Sequence, residues 1–170
     1  MPDYQGLASI VEYTNADGDL TSTNCGQAAA ATLVNFAMPV KNSDGLVRTF
    51  EQCFPPNVMF GTLGTSPAQI IRMLDSLKIK VDKIGPNAES CLVAKEPVLL
   101  LVGVLWKEFL HLKLREPHWT VAYGYDHDSV YLTNYGKMSC IDFWDGWGDP
   151  LVKMVGMAYS GFVVKKVDHA

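Results

Sequence analysis

The spacing of apolar and polar positions changes once along the chain, just after Leu77. Before that point the pattern is helical. CGQAAAATLVNFA, which starts at Cys25, is alanine-rich and predicts a helix despite Gly26. Thr21 to Asn24 supply capping side chains, and Pro39 with the turn residues of AMPVKNSDG ends the segment. GLVRTFEQCF predicts a second helix, stopped by Pro55 and Pro56. SPAQIIRMLDSL predicts a third, with Ser66 at the N-cap, Pro67 at the first helical position and Gln69 where a capping box places it. Ile70, Met73, Leu74 and Leu77 then form one apolar stripe.

Beyond Leu77 the period shortens to that of strands. KIKVDKI alternates, and PVLLLVGVLW is continuously apolar, as a buried strand requires. HWTVAYGY and VYLTNYG flank DHDS, a tight hairpin turn, and SGFVVKKV is a last strand. Helices first and antiparallel strands later predict an α+β domain. KEFLHLKLREP is longer and more polar than a simple hairpin needs, and reads as a surface loop or lid. Together with PPNVMFGTLGTS it is a candidate cleft wall.

Composition narrows the class. The 170 residues fit one domain spanning 1–170, and 48% hydrophobic against 19% charged residues marks an ordered globular chain. A net charge of -4 with no Lys/Arg cluster argues against a nucleic-acid or anionic-membrane partner. The longest apolar run is about half of what spans a bilayer. MPDYQGLASIVEY has no secretory-signal pattern, so the expected location is cytoplasmic, or secreted without a visible signal peptide in the manner of an effector. The four cysteines, at 25, 53, 91 and 140, form no CxxC pair. That argues against a zinc ribbon and a disulfide scaffold, and no metal or other cofactor is expected.

Reduced thiols leave a cysteine free for catalysis. A thiol becomes a useful nucleophile when its pKa falls, and a helix N-terminus and a nearby imidazolium are two common causes. Cys25 sits in the first turn of its helix, although on these grounds alone a small structural residue is the readier explanation. Among the histidines, His169 lies in the tail, His127 in the hairpin turn and His111 in the polar loop. His118 differs, because it opens an apolar strand directly after Pro117 and can present its ring to a cleft. Asn134 lies on the following strand and can orient an imidazole, or simply end the strand. Pairing inward from His118 and Asn134 sets Thr120 near Leu132 and Ala122 near Val130.

The chain order Cys, His, Asn and the residues around them resemble the papain-like cysteine peptidases, in particular the bacterial branch that includes the bacteriocin leader (double-glycine) peptidases. NCGQAAAATLV is similar to that branch's nucleophile motif, and HWTVAYGYDHDSVYLTN to its second motif, so the likeness covers 23–36 and 118–136. The resemblance implies a papain-like fold in which an N-terminal helical part carries the nucleophile and packs on a C-terminal antiparallel sheet. It implies a thiolate at Cys25, His118 as general base and then acid, and Asn134 orienting the ring. The partner is a peptide or protein substrate and the route a thioester, with the Cys25 backbone N–H as one oxyanion donor. Where the family places a glutamine as the side-chain oxyanion donor this chain has Asp19, and Asn24 or Ser22 are candidates to replace it. FWDGWG is similar to the Trp-Gly words of papain relatives, with core packing as the other explanation for its tryptophans. The expected activity is hydrolysis of peptide or amide bonds. The alternatives are a deamidase, peptidoglycan amidase or acyltransferase effector or toxin with the same triad, or a catalytically inactive papain-like binding module.

Overall fold

A computed structural model describes residues 24–38, 41–58, 64–86, 88, 91, 96–109, 112–133, 135–154 and 156–167. Three helices come first: α1 (Cys25–Ala37), α2 (Ser43–Cys53) and α3 (Pro67–Ser76). Strands β1 (Ile79–Ile84), β2 (Val98–Phe109), β3 (Leu112–Tyr125), β4 (Ser129–Leu132) and β5 (Gly136–Ser139) follow. Helices α4 (Cys140–Trp147) and α5 (Pro150–Met154) then precede β6 (Gly161–Val167). The strands form one antiparallel sheet in the order β1-β6-β2-β3-β4-β5.

Both faces of the sheet are covered, which is why β2 reads as an unbroken apolar run rather than an alternation. Leu99, Leu101, Trp119, Val121 and Phe162 face α1 and α3 and share a core with Leu33, Val34, Ile70 and Met73. Val98, Leu100, Val102, Ala122, Val130 and Leu132 make a second core on the opposite face with Phe143 and Trp147 of α4. Phe143 and Trp147, from FWDGWG, therefore serve core packing. Helix α1 is buried on every side from Cys25 to Val34, so its alanines are a packing requirement as much as a helix preference. A Cβ on Gly26 would lie 2.7 Å from Thr65 Cβ, and only glycine allows the chain before α3 to come that close.

Several expectations are corrected. KEFLHLKLREP is no lid: β2 runs through Phe109 and β3 resumes at Leu112, so most of the stretch is strand pairing. The β3–β4 register is displaced from the expected one, because Ala122 pairs with Leu132 and not with Val130. A register shift between Ala122 and Gly124 adds a residue to β3, and the turn is three residues, 126–128, nucleated by Asp126 Oδ1 accepting the N–H groups of Asp128 and Ser129. Asn24 is the N-cap of α1 yet makes no side-chain capping bond; its Nδ2 donates instead to Glu51 Oε1 at 3.1 Å. Ser66 caps α3 as expected by accepting from the Gln69 N–H, but the Gln69 side chain donates to the Pro55 carbonyl and leaves the capping box half made. Helix α4 and strand β5 were not anticipated.

Candidate active site

Cys25 arrives at the sheet from the α1 face. Its Sγ accepts a hydrogen bond from the backbone N–H of Trp119, at 3.5 Å. Thus the thiol of the first helical turn meets the residue directly after His118, 94 positions along the chain. A buried relay fixes this meeting. Gln27, fully buried, donates through Nε2 to the Phe54 carbonyl at 2.7 Å and accepts from Thr65 Oγ1 at 3.0 Å. The Thr65 carbonyl in turn accepts Trp119 Nε1–H at 2.7 Å, and the Trp119 ring stacks on Phe162. None of Gln27, Thr65 and Trp119 was singled out from the sequence, and Gln27 carried the best signal, a polar residue inside an otherwise apolar helix start.

His118 opposes Val102 across β2 and β3, and side-chain alternation assigns it to the α4 face with Thr120 and Ala122, while Trp119 and Val121 face α1. Cys25 and His118 are each only 7% exposed. Burial pushes the Cys25 thiol up to about 11, with Glu116 adding to the rise through its negative charge. The backbone N–H groups of Trp119, Gly26 and Cys25 itself act the other way, but more weakly. Burial likewise pushes the His118 imidazole down to about 4. Desolvation thus opposes the helix N-terminus at the thiol, and at both groups it favours the uncharged form over the charged pair that the resemblance implies.

The remaining candidates separate. Asp19, Ser22 and Asn134 lie outside the described residues, as do His111 and His169. Asn24, at the N-cap of α1, has its amide N–H engaged by Glu51. His127 projects from the hairpin turn, 99% exposed and remote in role from the buried thiol. None of the four cysteines is in a disulfide. A cleft of about 440 Å³ opens between the start of α3 and the β1–β6 edge, lined by Ser66, Lys83, Tyr159 and Ser160 among others. The Ser160 carbonyl accepts the N–H of Leu101, the β2 partner of Trp119, and Cys25 is not among the residues that line this cleft. No described helix is long and apolar enough to cross a membrane.

No protein-family model matches the chain, and no curated protein matches it in sequence. Its fold does match solved structures. A protein from Bacillus anthracis assigned as a C39-like peptidase aligns with a TM-score of 0.64 over 94% of this chain and 96% of its own, at 14% identity. The peptidase domain of Streptococcus ComA, a bifunctional ABC transporter of a quorum-sensing pathway, aligns with a TM-score of 0.55 over 85% of this chain and 93% of its own, at 15% identity. The architecture is thus the α+β, papain-like fold of the C39 branch, with the helices N-terminal and the six-stranded sheet after them.

Proposed function

We propose that this chain is a cysteine-dependent hydrolase of peptide or amide bonds, with Cys25 as nucleophile, His118 as general base and then acid, and Asn134 orienting the imidazole. The hydrogen bond between the Trp119 N–H and Cys25 Sγ carries the reading, because it joins the helix-start thiol to the strand position next to His118 on a C39-like peptidase fold. Cys25 approaches from one face of the sheet and His118 belongs to the other. The Trp119 N–H is where the helix-borne sulfur reaches the strand that carries His118.

The chemistry starts from the neutral pair. Burial raises the Cys25 thiol to about 11 and lowers the His118 imidazole to about 4, so it disfavours a charged pair formed ahead of the reaction. The proton therefore leaves Cys25 as the sulfur attacks and not before. The C–S bond forms, the carbonyl π pair moves to oxygen, and the Cys25 N–H at the start of α1 receives that oxyanion. Collapse breaks the C–N bond, with His118 returning the proton to the leaving amine. Water then attacks the thioester, His118 takes its proton, and Cys25 is regenerated. A deamidase, a peptidoglycan amidase or an acyltransferase would use the same thioester and differ in acyl donor or acceptor.

One observation favours a second reading. Deep burial of both Cys25 and His118 suits an inactive papain-like binding module. Peptide, cell-wall and protein-glutamine substrates offered to the wild type, Cys25→Ala and His118→Ala separate the two. The hydrolase predicts turnover that Cys25→Ala abolishes and His118→Ala lowers by roughly 100- to 10,000-fold. Turnover surviving in Cys25→Ala would overturn the assignment, and no turnover or acyl-enzyme from any substrate class would favour the binding module.

A further inference from the structure

The β3–β4 ladder stops where the thiol begins. Ala122 pairs with Leu132, and one step further the Thr133 N–H donates to the Val121 carbonyl at 2.9 Å. A regular antiparallel ladder would return a bond from the Val121 N–H to the Thr133 carbonyl, and two residues on would pair Trp119 with Tyr135. Here the Val121 N–H donates instead to Thr133 Oγ1 at 3.1 Å, and Thr120 Oγ1 donates to the Thr133 carbonyl at 2.7 Å. Tyr135 lies exposed at the entry to β5, and the Trp119 N–H donates to Cys25 Sγ.

We infer that this interruption is a built thiolate site: the Trp119 N–H, released from strand pairing, is a donor to the Cys25 sulfur as it becomes anionic, and Thr133 and Thr120 are positioning residues that keep the ladder open. The inference rests on the proposed role of Cys25 as nucleophile. A buried backbone N–H without an acceptor is costly, so closing the ladder is the default fate of the Trp119 amide. Two threonine hydroxyls divert the pairing one residue early, and both lie in the buried interior. The donor cannot swing away, since Trp119 is pinned through Nε1 to Thr65 and by stacking on Phe162. Nor can the sulfur, since Gly26 and Gln27 tie the start of α1 to the same Thr65. The donor strengthens as charge develops, because hydrogen bonds to an anionic acceptor exceed those to a neutral one.

Thr133→Val keeps the β-branched shape and removes the hydroxyl acceptor, which lets the Val121 N–H take the Thr133 carbonyl and the ladder run on. The rate of Cys25 alkylation by iodoacetamide at fixed alkaline pH is expected to fall about ten-fold or more, and Thr133→Ser to restore it to within about two-fold. A second measurement is read in the wild type and does not need Thr133→Val. In ¹⁵N-tryptophan-labelled wild type, four tryptophans give four backbone amides, and the one absent from Trp119→Phe identifies Trp119. Its proton is expected to move downfield as pH is raised through the thiol titration, and to stay still in Cys25→Ala. A Trp119 amide that ignores the thiol titration overturns the inference. So does a folded Thr133→Val with unchanged alkylation while hydrolysis still requires Cys25, and that result leaves the hydrolase reading standing. A Trp119 amide that follows the thiol in a protein without Cys25-dependent turnover overturns the hydrolase reading, and with it the catalytic role of the donor.

Discussion

Cys25 and His118 are displaced in opposite directions by one cause, removal from water, which disfavours whichever form is charged. Three backbone N–H groups offset part of this at the sulfur, and Glu116, two residues before His118, works against them. Glu116→Gln should therefore raise the alkylation rate of Cys25 at pH 9 by roughly two- to five-fold, the size of effect a partly exposed charge supports. A rate that falls or stays level would show that the Glu116 charge does not reach the thiol. In the wild type the alkylation rate should climb about ten-fold per pH unit and level off only near 11. At this scale the sequence was partly legible. A cysteine at a helix start and a histidine opening a strand could be picked out by position, whereas their protonation could not, because burial is a property of the surroundings.

Element by element, contacts between backbones decide what neighbours what. Gly26 lets the segment at Thr65 lie against α1, and Gly146 does the same for α4 over the carbonyl of Gly103. Gly26→Ala should cost about 1–3 kcal/mol by overpacking, visible as a lower midpoint in urea with little change in slope. Stability equal to wild type would mean that Thr65 is free to retreat. Thr65→Val removes the hydroxyl that serves Gln27 Oε1 and leaves a buried acceptor unsatisfied, at a cost of about 1–3 kcal/mol. The backbone carbonyl of Thr65 that anchors Trp119 is kept in this variant, so Cys25 alkylation should stay near the wild-type rate, and a marked fall would show that the hydroxyl also positions the site. The first three helices and the long strands were readable from periodicity and turn chemistry. Helix α4 had a signal that went unused: Ser139 caps it by accepting from the Asp142 N–H while donating to Asp142 Oδ2, a Ser-x-x-Asp box hidden behind an aromatic-rich run. The β3–β4 register was not readable, since one extra residue in β3 changes every pairing without altering the alternation on either side.

For the whole molecule, the two displaced groups couple the site to stability. Below an ordinary histidine value of 6.5 the unfolded chain takes up a proton that folded His118 refuses until about pH 4. The folded state thus loses roughly 3 kcal/mol from this group as pH falls from about 6.5 to about 4. At the other end, between 9.0 and about 11, the unfolded chain releases a thiol proton that folded Cys25 keeps. Stability falls by roughly 3 kcal/mol across that window as pH rises. Urea melts at pH 7, 5 and 4 should show a shallower acid loss in His118→Gln than in the wild type, and melts at pH 8 and 10.5 a shallower alkaline loss in Cys25→Ala. Parallel losses in variant and wild type would show that these groups are solvated in the folded protein. The sequence by itself determined the α+β class, the helical first part, the antiparallel second part and the helix and strand on which Cys25 and His118 stand, because local periodicity, caps and breakers fix elements over a few residues. Only the tertiary structure decided that the Cys25 sulfur meets the Trp119 amide, that Gln27, Thr65 and Trp119 hold that meeting, and that burial favours the uncharged thiol and imidazole. Those outcomes depend on which surfaces come together and exclude water, over separations of dozens of residues where no local pattern reaches.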